Sequence, residues 1–112
     1  MRGEALKGHL DGLLLATLEP GARHGYAVIE ALREVTGGSL DLPTGTVYPA
    51  LRRLEQAGLI RGTWDAPSGR RRRCYELTPA GHRRLAEERA GWRTFVTTVS
   101  AALEGRPWPA TG

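Results

Sequence analysis

Two groups of side chains in this chain have the types and spacing to engage another molecule. The first is Thr44, Tyr48 and Arg52, four residues apart, with Gly45 and Thr46 beside them. On a helix such a set lies on one side. Its hydroxyl, phenol and guanidinium are groups that reach phosphate oxygens and base edges without excluding a duplex by bulk. The second group is a run of four arginines, Arg70, Arg71, Arg72 and Arg73, directly after Gly69. Arginine grips phosphate or guanine through a planar fork of donors. A charge run is ordinarily a solvated surface, so its value depends on where the chain places it.

Other chemistry finds no such footing. His9, His24 and His82 have no Ser/Asp or Cys partners at a recognisable motif spacing, and both glycine-rich phosphate-binding motifs are absent. Cys74 and His82 are scattered ligands and do not make a metal site. No enzyme, cofactor or metal is therefore expected. One cysteine allows no intrachain disulfide, which suits a reducing cytoplasm. The apolar run at residues 13–18 is bracketed by Asp11 and Glu19 and is too short to span a bilayer. A cytoplasmic protein with no membrane role is expected. Sixteen basic residues against twelve acidic ones give a net charge of +4, and every basic residue except Lys7 is arginine.

Hydrophobic spacing indicates the elements that must hold these groups. Residues 43–58 read as a helix with Val47, Leu51 and Leu54 turned to a core. Gly58 ends it as a left-handed cap, and Pro49 inside it predicts a kink or a tight first turn. Residues 59–64 are apolar and β-prone, residues 65–69 are a turn cluster, and residues 70–77 return. The returning strand puts Arg73, Tyr75 and Leu77 on one face and Arg72, Cys74 and Glu76 on the other. A helix followed by a hairpin with a basic tip is the order of a winged helix.

The flanking segments complete this picture. Residues 1–18 hold a first helix with Leu6, Leu10, Leu13, Leu14 and Leu18 on one broad face. Residues 23–36 hold a second, stopped by Gly37 and Gly38, with His24 in a capping role at its start. Residues 39–42 form an extended link suited to add a third strand to the wing sheet. Thr78 caps a last helix over residues 78–104, with Pro79 at its first position. Leu85, Trp92 and Val99 recur every seven residues, and Phe95, Val96, Ala102 and Leu103 fill neighbouring positions. A helix of about 39 Å carries more apolar stripe than so small a domain can cover, so its second half is expected to meet another copy. The fold class is mainly α with a small β-wing. A winged helix-turn-helix DNA-binding domain spans residues 1–78, a C-terminal dimerisation helix spans residues 79–104, and a flexible tail spans residues 105–112.

The runs GTVYPALRRLEQAGLI and RRRRCYELTPAG, with His24, Gly25 and Tyr26 before them, resemble the PadR family of transcriptional regulators over roughly residues 6–104. The resemblance implies a dimeric repressor responsive to a ligand or stress, bound to a roughly palindromic double-stranded operator. Thr44, Gly45, Thr46, Tyr48 and Arg52 would then face DNA. Gly45 allows close approach, Tyr48 bonds a phosphate, and Arg52 takes a phosphate or a guanine. Gly69, Arg70, Arg71 and Arg72 form the wing contact. Leu85, Trp92, Phe95, Val96, Val99 and Leu103 form the dimer seam. The chain departs from the family pattern at Pro43, where a serine cap is usual, and at Cys74, where an aromatic is usual.

Trp92 has two readings. It fills the seam by bulk, or it pairs with its twin as a slot for a planar aromatic effector, with Gly91 leaving space and Arg89 and Arg93 available for an anionic group. Some PadR-like proteins are similar in placing a tryptophan here around a planar ligand. Cys74 also has two readings, an inert residue or a thiol activated by Arg72 and Arg73. The rival functions are a winged-helix protein-interaction module and a small-molecule-binding protein without DNA binding.

Overall fold

The computed structural model describes Leu6, residues 8–66, Gly69 and residues 71–105. Its elements are α1 (Leu10–Leu18), β1 (Arg23–His24), α2 (Gly25–Val35), α3 (Thr44–Gln56), β2 (Ile60–Asp65), β3 (Arg72–Leu77) and α4 (Pro79–Glu104). The strands form one antiparallel sheet in the order β1-β3-β2. One apolar core joins all layers. Leu14, Leu15 and Leu18 of α1 meet Val28, Ile29 and Leu32 of α2, the inner face of α3, Ile60, Tyr75 and Leu85. Each such side chain contributes about 1.5–3 kcal/mol by leaving water. This is the winged helix with a long C-terminal helix that the sequence leads one to expect.

The helix boundaries differ in two places. The first helix begins at Leu10 rather than near the N-terminus, because Gly8 turns the chain at φ +91° just before it. Leu6 lies in a short turn that His9 closes through its amide, 2.8 Å from the Leu6 carbonyl, while residues 1–5 and 7 lie outside the described residues. The second helix begins at Gly25, and the two residues before it are a strand. That strand, not residues 39–42, supplies the third member of the sheet. Arg23 is drawn to it because its Nε donates to the free Thr17 carbonyl at the end of α1, 2.7 Å away. The 39–42 link is held elsewhere: Leu40 is buried, and its amide donates to Thr36 Oγ1 at 2.9 Å.

Two junctions fix α3. Pro43 occupies its N-cap position, and the Pro43 carbonyl accepts from both Thr46 and Val47, at 3.0 and 3.1 Å. The first turn is therefore tight, and the helix continues through Pro49. At the other end Gly58, at φ +76°, sends its amide to the Glu55 carbonyl, and Leu59 sends its amide to the Leu54 carbonyl, both at 3.0 Å. That is the paired closure of a left-handed glycine cap.

The start of α4 is tied to the same corner. Thr78 Oγ1 accepts from the Gly81 amide at 3.1 Å and donates to the Gly58 carbonyl at 2.7 Å. Gly81 passes directly under the Leu59 carbonyl, with no room for a β-carbon. Beyond Leu85 the helix leaves the core, and the chain measures 58 × 29 × 21 Å. Trp92 and Phe95 are each 50 % exposed and Leu103 is 81 % exposed, so the apolar stripe lies open in the single chain.

Gly81→Ala should therefore lower the unfolding free energy by about 2–3 kcal/mol through overpacking against that carbonyl. Urea unfolding followed by circular dichroism measures this, and an unchanged midpoint would contradict the junction described.

Candidate nucleic-acid interface

The apolar stripe of α3 dictates what its other side presents. Val47, Ala50, Leu51 and Leu54 are buried, which turns Thr44, Gly45, Thr46, Tyr48 and Arg52 outward. A β-carbon at Gly45 would meet nothing within 4 Å, so the fold does not demand glycine there and the position leaves room toward the outside. Tyr48 is less free. Its ring lies on Gly25 at the start of α2, closely enough that a β-carbon on Gly25 would collide with it. The glycine of the His24-Gly25-Tyr26 run thus gives the phenol a seat.

The arginines divide by whether a carboxylate meets them. Arg33 pairs with Asp41 at 3.1 Å, Arg53 with Asp11, Arg61 with Glu76, Arg73 with Glu55, Arg84 with Glu88 at 2.8 Å, and Arg89 with Glu19 at 2.8 Å. Among the described residues Arg23, Arg52, Arg71, Arg72, Arg83 and Arg93 have no carboxylate at ion-pair distance; Arg23 donates to the Thr17 carbonyl instead. Three of these six belong to the site read from the sequence: Arg52 on α3, and Arg71 and Arg72 at the tip side of β3. Gly69 turns the tip at φ +78°. Arg70 lies outside the described residues.

Helix and wing meet in an open cleft of about 530 Å³, with Tyr48, Arg52 and Gln56 from α3 on one side and Trp64 and Arg73 from the hairpin on the other. Tyr75 closes its floor, and burial pushes the Tyr75 phenol above its ordinary range. Sequence reasoning gave no role to Trp64 or Glu55, and it grouped Arg73 with the wing run without a partner on α3. The alternation of β3 put Arg73 on the Tyr75 side, and that was the available signal. It is the register Trp64↔Arg73 that brings the pair together.

One expectation changes at the sheet. His24 stands at the N-cap position of α2, but its ring does not cap the helix; Nε2 lies 3.1 Å from Asp65 Oδ2 instead, linking β1 to the end of β2. Between them sits Cys74. Burial raises its thiol pKa above the ordinary value, and the Asp65 and Glu76 carboxylates add to the rise. Of the two readings of this residue the raised thiol favours the inert one, and Arg73, one of the two arginines of the other reading, is held by Glu55.

On α4, Trp92 stacks on Phe95 with centroids 5.6 Å apart, and His9 meets it edge-on at 5.1 Å. An apolar cleft of about 520 Å³ lies between α1 and α4 beside it, with Leu13, Leu85 and Trp92 in its wall. Leu85 is buried, Val96 is exposed and Val99 is half-buried. Gly91 faces open space. Arg89 donates to both Glu19 oxygens, which holds that carboxyl below its ordinary range and leaves Arg93 as the flanking cation without a described acid. Among the described residues no three His, Cys, Asp or Glu side chains converge as metal ligands, and no helix is long and apolar enough to cross a membrane.

The sequence model of the transcriptional regulator PadR-like family matches residues 14–87, from α1 into α4. The chain belongs to the PadR-like family. This is a family of transcriptional regulators, not of enzymes. Transcriptional regulator Rv3488 of Mycobacterium tuberculosis is 40% identical over 78 residues, which are 70% of this chain and 60% of that protein. A PadR family regulator from Eggerthella lenta superposes with a TM-score of 0.78 at 32% identity, covering 90% of this chain and 87% of that one. Bacillus subtilis PadR in complex with operator DNA gives a TM-score of 0.65 at 24% identity over 70% of this chain and 45% of that one, a likeness of fold.

A thiol with a raised pKa is protonated at neutral pH and becomes nucleophilic only in more alkaline solution. Iodoacetamide should thus label Cys74 more slowly than free cysteine at pH 8, with the rate climbing only at higher pH. Labelling faster than free cysteine would mean that the arginines dominate after all.

Proposed function

We propose that the chain is a homodimeric DNA-binding repressor that holds a roughly palindromic operator and releases it on a signal received at the α4 seam. One observation carries the DNA-binding part. Arg52, on the outward face of α3 and without a carboxylate, lines one cleft with Trp64 of the hairpin, and the carboxylate-free Arg71 rests on that indole, while six arginines, Arg73 among them, are neutralised within the chain. In this reading Thr44, Gly45, Thr46, Tyr48 and Arg52 face the major groove, and Gly69, Arg70, Arg71 and Arg72 hold the flanking backbone. The division into a DNA-binding part, residues 1–78, a pairing helix, residues 79–104, and a tail, residues 105–112, belongs to the same proposal, as does a cytoplasmic location.

The exposed stripe of α4 supports the dimer. Trp92, Phe95, Val96 and Leu103 form an apolar surface too extended to be left in water. The apolar cleft beside Trp92, which Arg89 also lines, supports a planar aromatic effector there, with Arg89 and the neighbouring Arg93 as the cations for an anionic group. Occupancy would alter the spacing of the two recognition helices.

Two measurements test this reading. Duplexes selected from a random pool by the purified protein should share a palindrome with half-sites about 34 Å apart. With on the order of eight phosphate contacts, log K should fall against log salt with a slope of about −7. Arg52→Ala should weaken binding by about 1–3 kcal/mol if it reads a base, relaxing one position of the site. If it holds a phosphate, the loss should be equal for all sequences and the slope shallower. An affinity indifferent to salt would contradict the electrostatic reading.

Assembly is tested separately. Light scattering should give twice the 12.2 kDa chain mass, and Leu103→Asp with Phe95→Asp should return the protein to the monomer mass. A wild-type monomer at high concentration would remove the seam.

A further inference from the structure

The wing carries an aromatic side chain that the apolar core does not explain. Trp64 is 58 % exposed near the end of β2. Two guanidiniums lie over its ring, Arg71 at 4.5 Å and Arg73 at 5.1 Å from the centroid. They are not equivalent. Arg73 also donates to Glu55 on α3, a crossing that Gly62 makes possible: a β-carbon there would sit 2.7 Å from Arg73 Nε and 2.8 Å from Glu55 Oε1. Arg73 is thus neutralised, and it fixes the indole relative to α3. Arg71 is exposed, has no carboxylate at ion-pair distance among the described residues, and rests on the indole.

We propose that Trp64 is the positioning residue for Arg71, and that the pair sets specificity for the DNA flanking each half-site. The indole, anchored through Arg73 to Glu55, holds the Arg71 guanidinium extended so that it enters the minor groove next to the major-groove segment facing α3. The proposal rests on the DNA-binding reading above; it moves Arg71 from the flanking backbone into the groove beside it, and adds a residue and a sequence preference.

The physical argument has two parts. A mobile arginine loses rotamer freedom when a contact freezes it, and a stacked one has already lost part of that freedom before DNA arrives. The cation–π contact also replaces water on one face of the guanidinium, which reduces the desolvation still to be met in the groove. A narrow minor groove, typical of A·T tracts, concentrates negative potential and attracts an inserted arginine. A guanidinium held at a fixed reach responds to that width, whereas a freely moving one finds phosphates anywhere.

The test compares wild type, Trp64→Ala, Trp64→Phe, Arg71→Ala and the Trp64→Ala/Arg71→Ala double variant on the selected duplex by fluorescence anisotropy. Trp64→Ala should weaken binding about three- to fivefold, the scale of an exposed cation–π contact. Trp64→Phe keeps a π face and should recover most of the loss. In the Arg71→Ala background the Trp64→Ala change should have no further effect. Replacing flanking A·T pairs by G·C should weaken wild type and leave Trp64→Ala unaffected. Replacing them by inosine·C, which lacks the minor-groove amino group, should leave wild type unaffected as well. Thermal midpoints should match, since the ring is exposed.

Trp64→Ala binding as wild type does would overturn the proposal. So would a loss that persists in full without Arg71, because the ring itself would then touch DNA. Failure of the wild type to bind any duplex would overturn the DNA-binding reading, and this proposal with it, and is distinguishable from both.

Discussion

The seating of α3 in the core governs the rest of the molecule. Val47, Ala50, Leu51 and Leu54 are each no more than 1 % exposed, and together they clamp one face of the helix between α1, α2 and the sheet. A helix has no independent choice about its other face once one stripe is fixed. Thr44, Tyr48 and Arg52 are outward because those four residues are inward. The caps then fix the length: Pro43 closes the first turn, and Gly58 ends the last one and hands the chain to β2.

The same rotation sorts charge. Arg52 and Arg53 are neighbours in sequence, but Arg53 turns toward α1 and meets Asp11, whereas Arg52 meets no carboxylate. Glu55, one turn further, reaches the hairpin and holds Arg73. Such exposed or half-exposed pairs contribute little stability, at most about 1 kcal/mol each. Their consequence is geometric: they orient the wing relative to α3. Pairing six arginines within the chain leaves Arg52, Arg71 and Arg72 as uncompensated charges on α3 and the wing.

Much of this was legible in the sequence because it rests on local rules. The period of Val47, Leu51 and Leu54, the glycine cap at 58, the Thr78-Pro79 start and the strand alternation around Tyr75 each depend on a few adjacent residues. What was not legible depends on contacts distant in sequence. Arg23 and His24 read as the start of a helix, and only the Thr17 carbonyl and the edge of β3 make them a strand. His24 finds Asp65 across 41 positions, and Arg89 finds Glu19 across 70. Trp64 looked like any β-prone residue until the register set Arg73 opposite it. For Cys74 the adjacent arginines were visible in the sequence, whereas the burial and the Asp65 carboxylate that raise its thiol pKa were not.

The central claim is that the outward face of α3 and the basic wing form one DNA-binding surface. Amide hydrogen exchange of the purified protein, with and without the selected duplex, tests it most directly. The account predicts slowed exchange in the first two turns of α3 and in the β2–β3 hairpin, with residues 96–104 of α4 unchanged. Protection confined to α4, or no change in α3 and the hairpin while the duplex is bound, would contradict it.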